Sequence, residues 1–206
     1  MSAWSNALDG LQANPTPVPE GQSAAFQIFL FERELDTRGH LKVAIDPPDD
    51  GGIKEVAGIT LRYDGPEEKK LEAMVDAGQY AAAQDEAVAY IEAETNGVKD
   101  WCQHPAIEAN LRDIQFNRGT TGCLKILQKS LGVTIDANFG PITEATEKAA
   151  ESEPAAFLDD LYEARVWYED NVVGVRANLN TGLMNRFAQA RDFAKTFIDM
   201  PDVPQV

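Results

Sequence analysis

The chain has 206 residues, 44% of them hydrophobic, enough for one large core or two small ones and too many for extended disorder. Acidic residues outnumber basic ones 34 to 18, giving a formal charge of −16. With no run of Lys or Arg to track phosphates, the composition argues against nucleic acid as a partner.

Residues 1–22, MSAWSNALDGLQANPTPVPEGQ, carry neither the basic start nor the apolar stretch of a secretory signal. No apolar run is long enough to span a bilayer, so synthesis in the cytoplasm without membrane insertion is expected. The three prolines in residues 11–22 predict an extended lead-in.

From Ser23 the run SAAFQIFLFERELDTRG predicts a first core helix, with Ser23 as N-cap and Gly39 as its stop. The Pro-, Asp- and Gly-rich stretch that follows predicts a loop with a small β-hairpin, its β-prone pieces at residues 41–45 and 58–63. Surface segments of this kind, set between rigid elements, often hold binding and catalytic groups.

After Pro66 the pattern turns helical. PEEKKLEAMVDAG and AAAQDEAVAYIEAETNG predict two helices, and HPAIEANLRDIQFNRG and TTGCLKILQKSLG two more. In the last of these Leu124, Leu127, Gln128 and Leu131 share a face, and Gly132 is the stop. VTIDANFGPITE predicts a compact turn shaped by Asp136, Asn138 and Gly140, with Leu127, Leu131, Val133 and Phe139 beneath it. Three further helices fit ITEATEKAAESE, PAAFLDDLYEARVWYED and LNTGLMNRFAQARDFAKTFI, before a loose tail.

Cys102 and Cys123 fall in segments read as helical. With no CxxC and only His40 and His104 to assist, two buried thiols are expected, a disulfide formed after export being the alternative. Neither a metal site nor a cofactor is implied.

Two blocks, together covering about residues 26–195, resemble glycoside hydrolase family 108, phage and bacterial muramidases with a C-terminal type 3 peptidoglycan-binding domain. The C-terminal block, DIQFNRG, CLKILQKSLGVTIDANFGPITEAT, EARVWY and GLMNRFAQAR, follows the family's order and approximate spacing. In the N-terminal block, DPPDDGG supplies Asp46, Pro47, Asp49, Gly51 and Gly52, and GIT supplies Gly58, Ile59 and Thr60. Aligning FLFERE puts Glu34, or alternatively Glu32, in the catalytic place; LDT stands where the family has Gly-Gly-Tyr.

The resemblance implies a mainly α, lysozyme-like fold with a small β-hairpin and a C-terminal helical peptidoglycan-binding subdomain. The implied division is a lead-in at 1–22, a catalytic-type domain at 23–118, a binding-type subdomain at 119–200 and a tail at 201–206. It further implies hydrolysis of the MurNAc–GlcNAc bond, with peptidoglycan as partner. Action in the periplasm would then need delivery, as an endolysin, virion lysin or secreted effector. The alternative is a non-catalytic part of a phage virion or secretion apparatus that keeps the fold for binding.

Glycosidic cleavage needs one carboxyl held protonated beside the leaving oxygen and a second carboxylate to support the oxocarbenium-like state or a water. Under the resemblance Glu34 is the acid, Asp46 or Asp49 the second carboxylate, and Thr60 a holder of water or a sugar hydroxyl. The plain alternative is a solvated helix face and a turn. Asp113 and Asn117, four residues apart on one helical face, suit the lining of a glycan groove, although Asn117 equally suits bracing the next helix. Tyr168, with Trp101, Trp167 and Tyr162, suits stacking on sugar rings or packing in a core.

Overall fold

The computed structural model describes residues 23–45, 53–174 and 180–199. It is mainly helical with one small antiparallel sheet, as the sequence predicts. Its contacts divide the chain into an N-terminal unit through Glu94 and a C-terminal unit from Thr95. Among the described residues, no helix is long and apolar enough to cross a membrane.

The N-terminal unit opens with α1 (Ala24–Glu32), capped where expected: the Ser23 hydroxyl accepts from the Phe26 amide at 3.1 Å. This helix stops seven residues before Gly39. Arg33 turns extended, and the Asp36 side chain accepts from the Arg38 and His40 amides, both at 2.8 Å. A short aspartate offering local bonds of this kind competes with the helical ladder, which explains the early end. A bridge between Leu35 and Leu41 closes the turn.

The sheet holds three strands in the order β1 (Ala44–Ile45), β2 (Lys54–Val56) and β3 (Ile59–Thr60). The predicted hairpin pieces correspond to the outer strands, while the middle strand, three residues of which two are charged, escaped prediction. Between β2 and β3 the chain reverses over Ala57 and Gly58, both at positive φ, the backbone that a two-residue hairpin turn demands.

Helix α2 (Gly65–Asp76) starts with Pro66, Glu67 and Glu68, residues that suit a first turn through fixed φ and the helix dipole. It closes on left-handed Gly78, with the Gly78 amide donating to the Val75 carbonyl and the Gln79 amide to that of Met74, a Schellman ending. This helix packs on β2 and β3, burying Leu71 and Val75. Helix α3 (Tyr80–Thr95) follows, burying Ala83, Ala87 and Ile91.

In the C-terminal unit a 3-10 turn (Asn96–Asp100) leads to α4 (Pro105–Ser130). The two helices expected here are present as two arms of that span, separated by a break at Gly119, whose φ of 64° and ψ of 173° are non-helical. A second Schellman ending forms at Gly132, which is left-handed as its place after the periodic run predicts. Then come α5 (Pro141–Ala150), α6 (Pro154–Tyr168), a π-helical turn (Glu169–Val173) and α7 (Asn180–Lys195). Helices α4, α6 and α7 pack on one another around Leu111, Ile114, Leu158, Leu161 and Phe187.

Candidate functional site

The described candidates divide between the two units. Glu32, Glu34 and Thr60 belong to the N-terminal unit; Asp113, Asn117 and Tyr168 belong to the C-terminal one. Asp46 and Asp49, in the DPPDDGG loop, lie outside the described residues.

Glu32 is the last residue of α1, and Glu34 follows two positions later, next to the Leu35–Leu41 bridge. The bridge fixes the neighbourhood of Glu34: its carbonyl accepts from the Lys42 amide at 3.1 Å, and its carboxylate meets the Lys42 ammonium at 2.7 Å. At 24% exposure the Glu34 side chain is half-buried, at the edge of the unit.

Thr60 ends β3. Its amide donates to Asp64 at 3.4 Å, and Asp64 in turn accepts from the Tyr90 hydroxyl at 2.6 Å. Burial and this aspartate both push the Tyr90 phenol above its ordinary value. The Thr60 hydroxyl itself is buried with no hydrogen-bond partner among the described residues, a state that costs about 1–3 kcal/mol unless a further group, a water or a ligand completes it.

An acid not singled out from the sequence sits beneath the same strands. Glu68, in the first turn of α2, is fully buried, and neither carboxyl oxygen has a hydrogen-bond partner among the described residues. Burial, and then the charge of Glu72, raise its pKa, so the N-terminal unit does hold a carboxyl biased toward its protonated form. No local pattern hints at this, because a glutamate at a helix start is accounted for by the dipole.

In the C-terminal unit Asp113 is 2% exposed, inside the helical packing. It accepts from Arg165 of α6 and Arg186 of α7, each at 2.6 Å, so it ties three helices together. Burial alone would raise its pKa, but the charges of Arg186 and Arg165 overturn that and hold it below the usual carboxylate value. Asn117 donates to the Asp113 carbonyl at 3.0 Å, along its own helix.

The aromatic candidates also meet partners within the unit. Tyr168 lies over Gly122, where an added Cβ would come within 3.2 Å of its hydroxyl. Trp101 stacks on Phe139 at 6.0 Å, Lys129 sits 4.9 Å from the Trp167 ring centroid, and Arg191 lies 4.9 Å from that of Tyr162.

The Asp136 turn is organised from below by Gln128, which is 1% exposed. Its amide oxygen accepts from the Asp136 and Ala137 amides at 3.0 and 2.8 Å, and its amide nitrogen donates to Asp136 Oδ1 and the Asn138 carbonyl at 2.6 and 3.0 Å. Of the four apolar residues expected beneath the turn, Leu127 is fully buried, and Leu131, Val133 and Phe139 are half-buried.

Cys102 and Cys123 are both buried free thiols, the first of the two states considered from the sequence. Burial pushes both thiols up.

No family model matches the chain. No curated protein matches it either. Among solved structures it is similar to SagA of Brucella abortus, at a TM-score of 0.61 and 23% identity, over 84% of this chain and 92% of that one. At this identity the likeness concerns the fold.

Proposed function

We propose that the protein acts on bacterial peptidoglycan as a muramidase, hydrolysing the MurNAc–GlcNAc linkage with Glu34 as general acid. The observation that carries the reading is that the residues resembling the muramidase motifs occur in a chain whose fold is similar to that of SagA along most of both lengths. Membership of glycoside hydrolase family 108 is part of this proposal.

In this reading Glu34 gives its proton to the leaving oxygen, and Asp46 or Asp49 supplies the second carboxylate. Thr60, with no partner for its hydroxyl among the described residues, holds a water or a sugar hydroxyl. Lys42, 2.7 Å from the Glu34 carboxylate, has to release it before it can carry a proton, so substrate binding must displace that ammonium. Asp113, Asn117 and Tyr168 contribute to the glycan-binding face through the helices they brace. The protein reaches the periplasm as an endolysin, virion lysin or secreted effector.

The Glu34–Lys42 ion pair favours a second reading. Together with LDT in place of Gly-Gly-Tyr, it suits a descendant that keeps the fold for binding, as a part of a phage virion or secretion apparatus. Purified peptidoglycan separates the two. Soluble muropeptides released by the wild type and not by Glu34→Gln support the enzyme; sacculi bound without release support the binding module; neither release nor binding sinks both.

A further inference from the structure

The C-terminal unit brings together three metal-ligating side chains that the muramidase reading does not use. Cys102 follows the 3-10 turn, Glu147 is on α5 and Glu151 caps the end of α5. Their ligand atoms, one sulfur and one oxygen from each carboxylate, all lie within 4.8 Å of one another. We propose that Cys102, Glu147 and Glu151 form a binding site for a thiophilic divalent cation of the zinc class.

Three features support a built site. Glu147 is 2% exposed, and its Oε1 is buried without a hydrogen-bond partner among the described residues, so a lone pair is left for a ligand to complete. Its other interaction is with the half-buried Glu151 carboxyl, and a buried carboxyl beside a second one is a costly pairing unless a proton or a cation lies between them. Glu151 is fixed in place, since its Oε1 accepts from the amides of Gln103 and His104 at 2.5 and 2.8 Å. Those amides directly follow Cys102, so the same bonds hold the thiol and the carboxylate in register, as outer-sphere donors do in metal sites.

The donor set selects the ion. A thiolate excludes calcium and magnesium, which take oxygen ligands, and one sulfur with two carboxylate oxygens suits zinc or cadmium. Bonds of about 2.3 Å to sulfur and 2.1 Å to oxygen span this group after small side-chain rotations. Binding releases the thiol proton and any proton held between the carboxyls to solvent, and water completes the coordination. The absence of CxxC and the scarcity of His hid such a site in the sequence, because two of its three ligands are glutamates.

The probe is Cd2+, titrated into the reduced full chain while sulfur-to-cadmium charge-transfer absorption is recorded. The expected result is a band that saturates at one equivalent and is displaced by Zn2+. It should be lost in Cys102→Ser, kept in Cys123→Ser, and shifted to about tenfold or more higher Cd2+ in Glu147→Gln. Circular dichroism reports whether each variant folds. If Cys102→Ser does not fold, Glu147→Gln decides. No saturable band in the wild type, a band that survives Cys102→Ser, or unchanged affinity in Glu147→Gln would overturn the proposal.

Discussion

The carboxylate of Asp113 and the guanidinium of Arg165, 52 residues apart in the chain, meet at 2.6 Å inside the C-terminal unit. Arg186 takes the other oxygen of the same carboxylate at the same distance. Removing the anion would leave two cations facing each other in a place that water does not reach. Asp113→Asn is therefore expected to cost about 3–5 kcal/mol in urea denaturation. A loss below about 1 kcal/mol would mean that the two arginines find other partners.

The same group sets an acid limit. The folded-state pKa of Asp113 is lowered, so its contribution to stability is fully present above the unfolded-state value and is lost as pH falls through the folded one. The stability gap between wild type and Asp113→Asn should narrow as pH drops below the ordinary carboxylate range. A gap independent of pH down to that range and beyond would show that the pair contributes nothing by charge.

Much of this framework was legible in the sequence. The Ser23 cap, the Pro66 start, the Gly132 stop and the order of the helices follow from local rules, because each depends on a residue's own backbone preference or its nearest neighbours. The end of α1 did not follow from periodicity, since Asp36 captures two amides of the turn that follows, and the helix ends well short of the expected stop at Gly39. Asp113 was legible as a polar residue on a helix face but not as a buried one: its partners lie 52 and 73 residues away, beyond any local pattern. Glu68 and Glu147 were hidden for the same reason, as their burial depends on which elements pack over them.

Glu68 makes a prediction opposite in sign to that of Asp113. Its pKa is raised by burial and by Glu72, so the stability associated with its neutral form is present below the unfolded-state value and is lost as pH rises through the folded one. Glu68→Gln keeps the shape and removes the ionisation. Its stability relative to wild type should therefore grow with pH above the ordinary glutamate range, as read by thermal melts in matched buffers. A constant difference would show that Glu68 ionises in the folded state without cost.

Gln128 anchors the turn after α4 through bonds to Asp136, Ala137 and Asn138. Truncation in Gln128→Ala leaves the Asp136 and Ala137 amides without their acceptor, and a cost of about 2–3 kcal/mol is expected. Hydrogen exchange should speed up at these two amides before it does in α6. Unchanged protection there would mean that the turn is held by its own backbone.

Glu34 is the proposed donor of the proton that cleaves the glycan. The direct measurement is muropeptide release from purified Gram-negative peptidoglycan by wild type, Glu34→Gln and Glu32→Gln at equal concentration, with each variant's fold verified. Release is expected from wild type and Glu32→Gln, with a fall of at least about a hundredfold in Glu34→Gln, the scale of a lost general acid. Equal release by Glu34→Gln, or none by the folded wild type, would contradict that role.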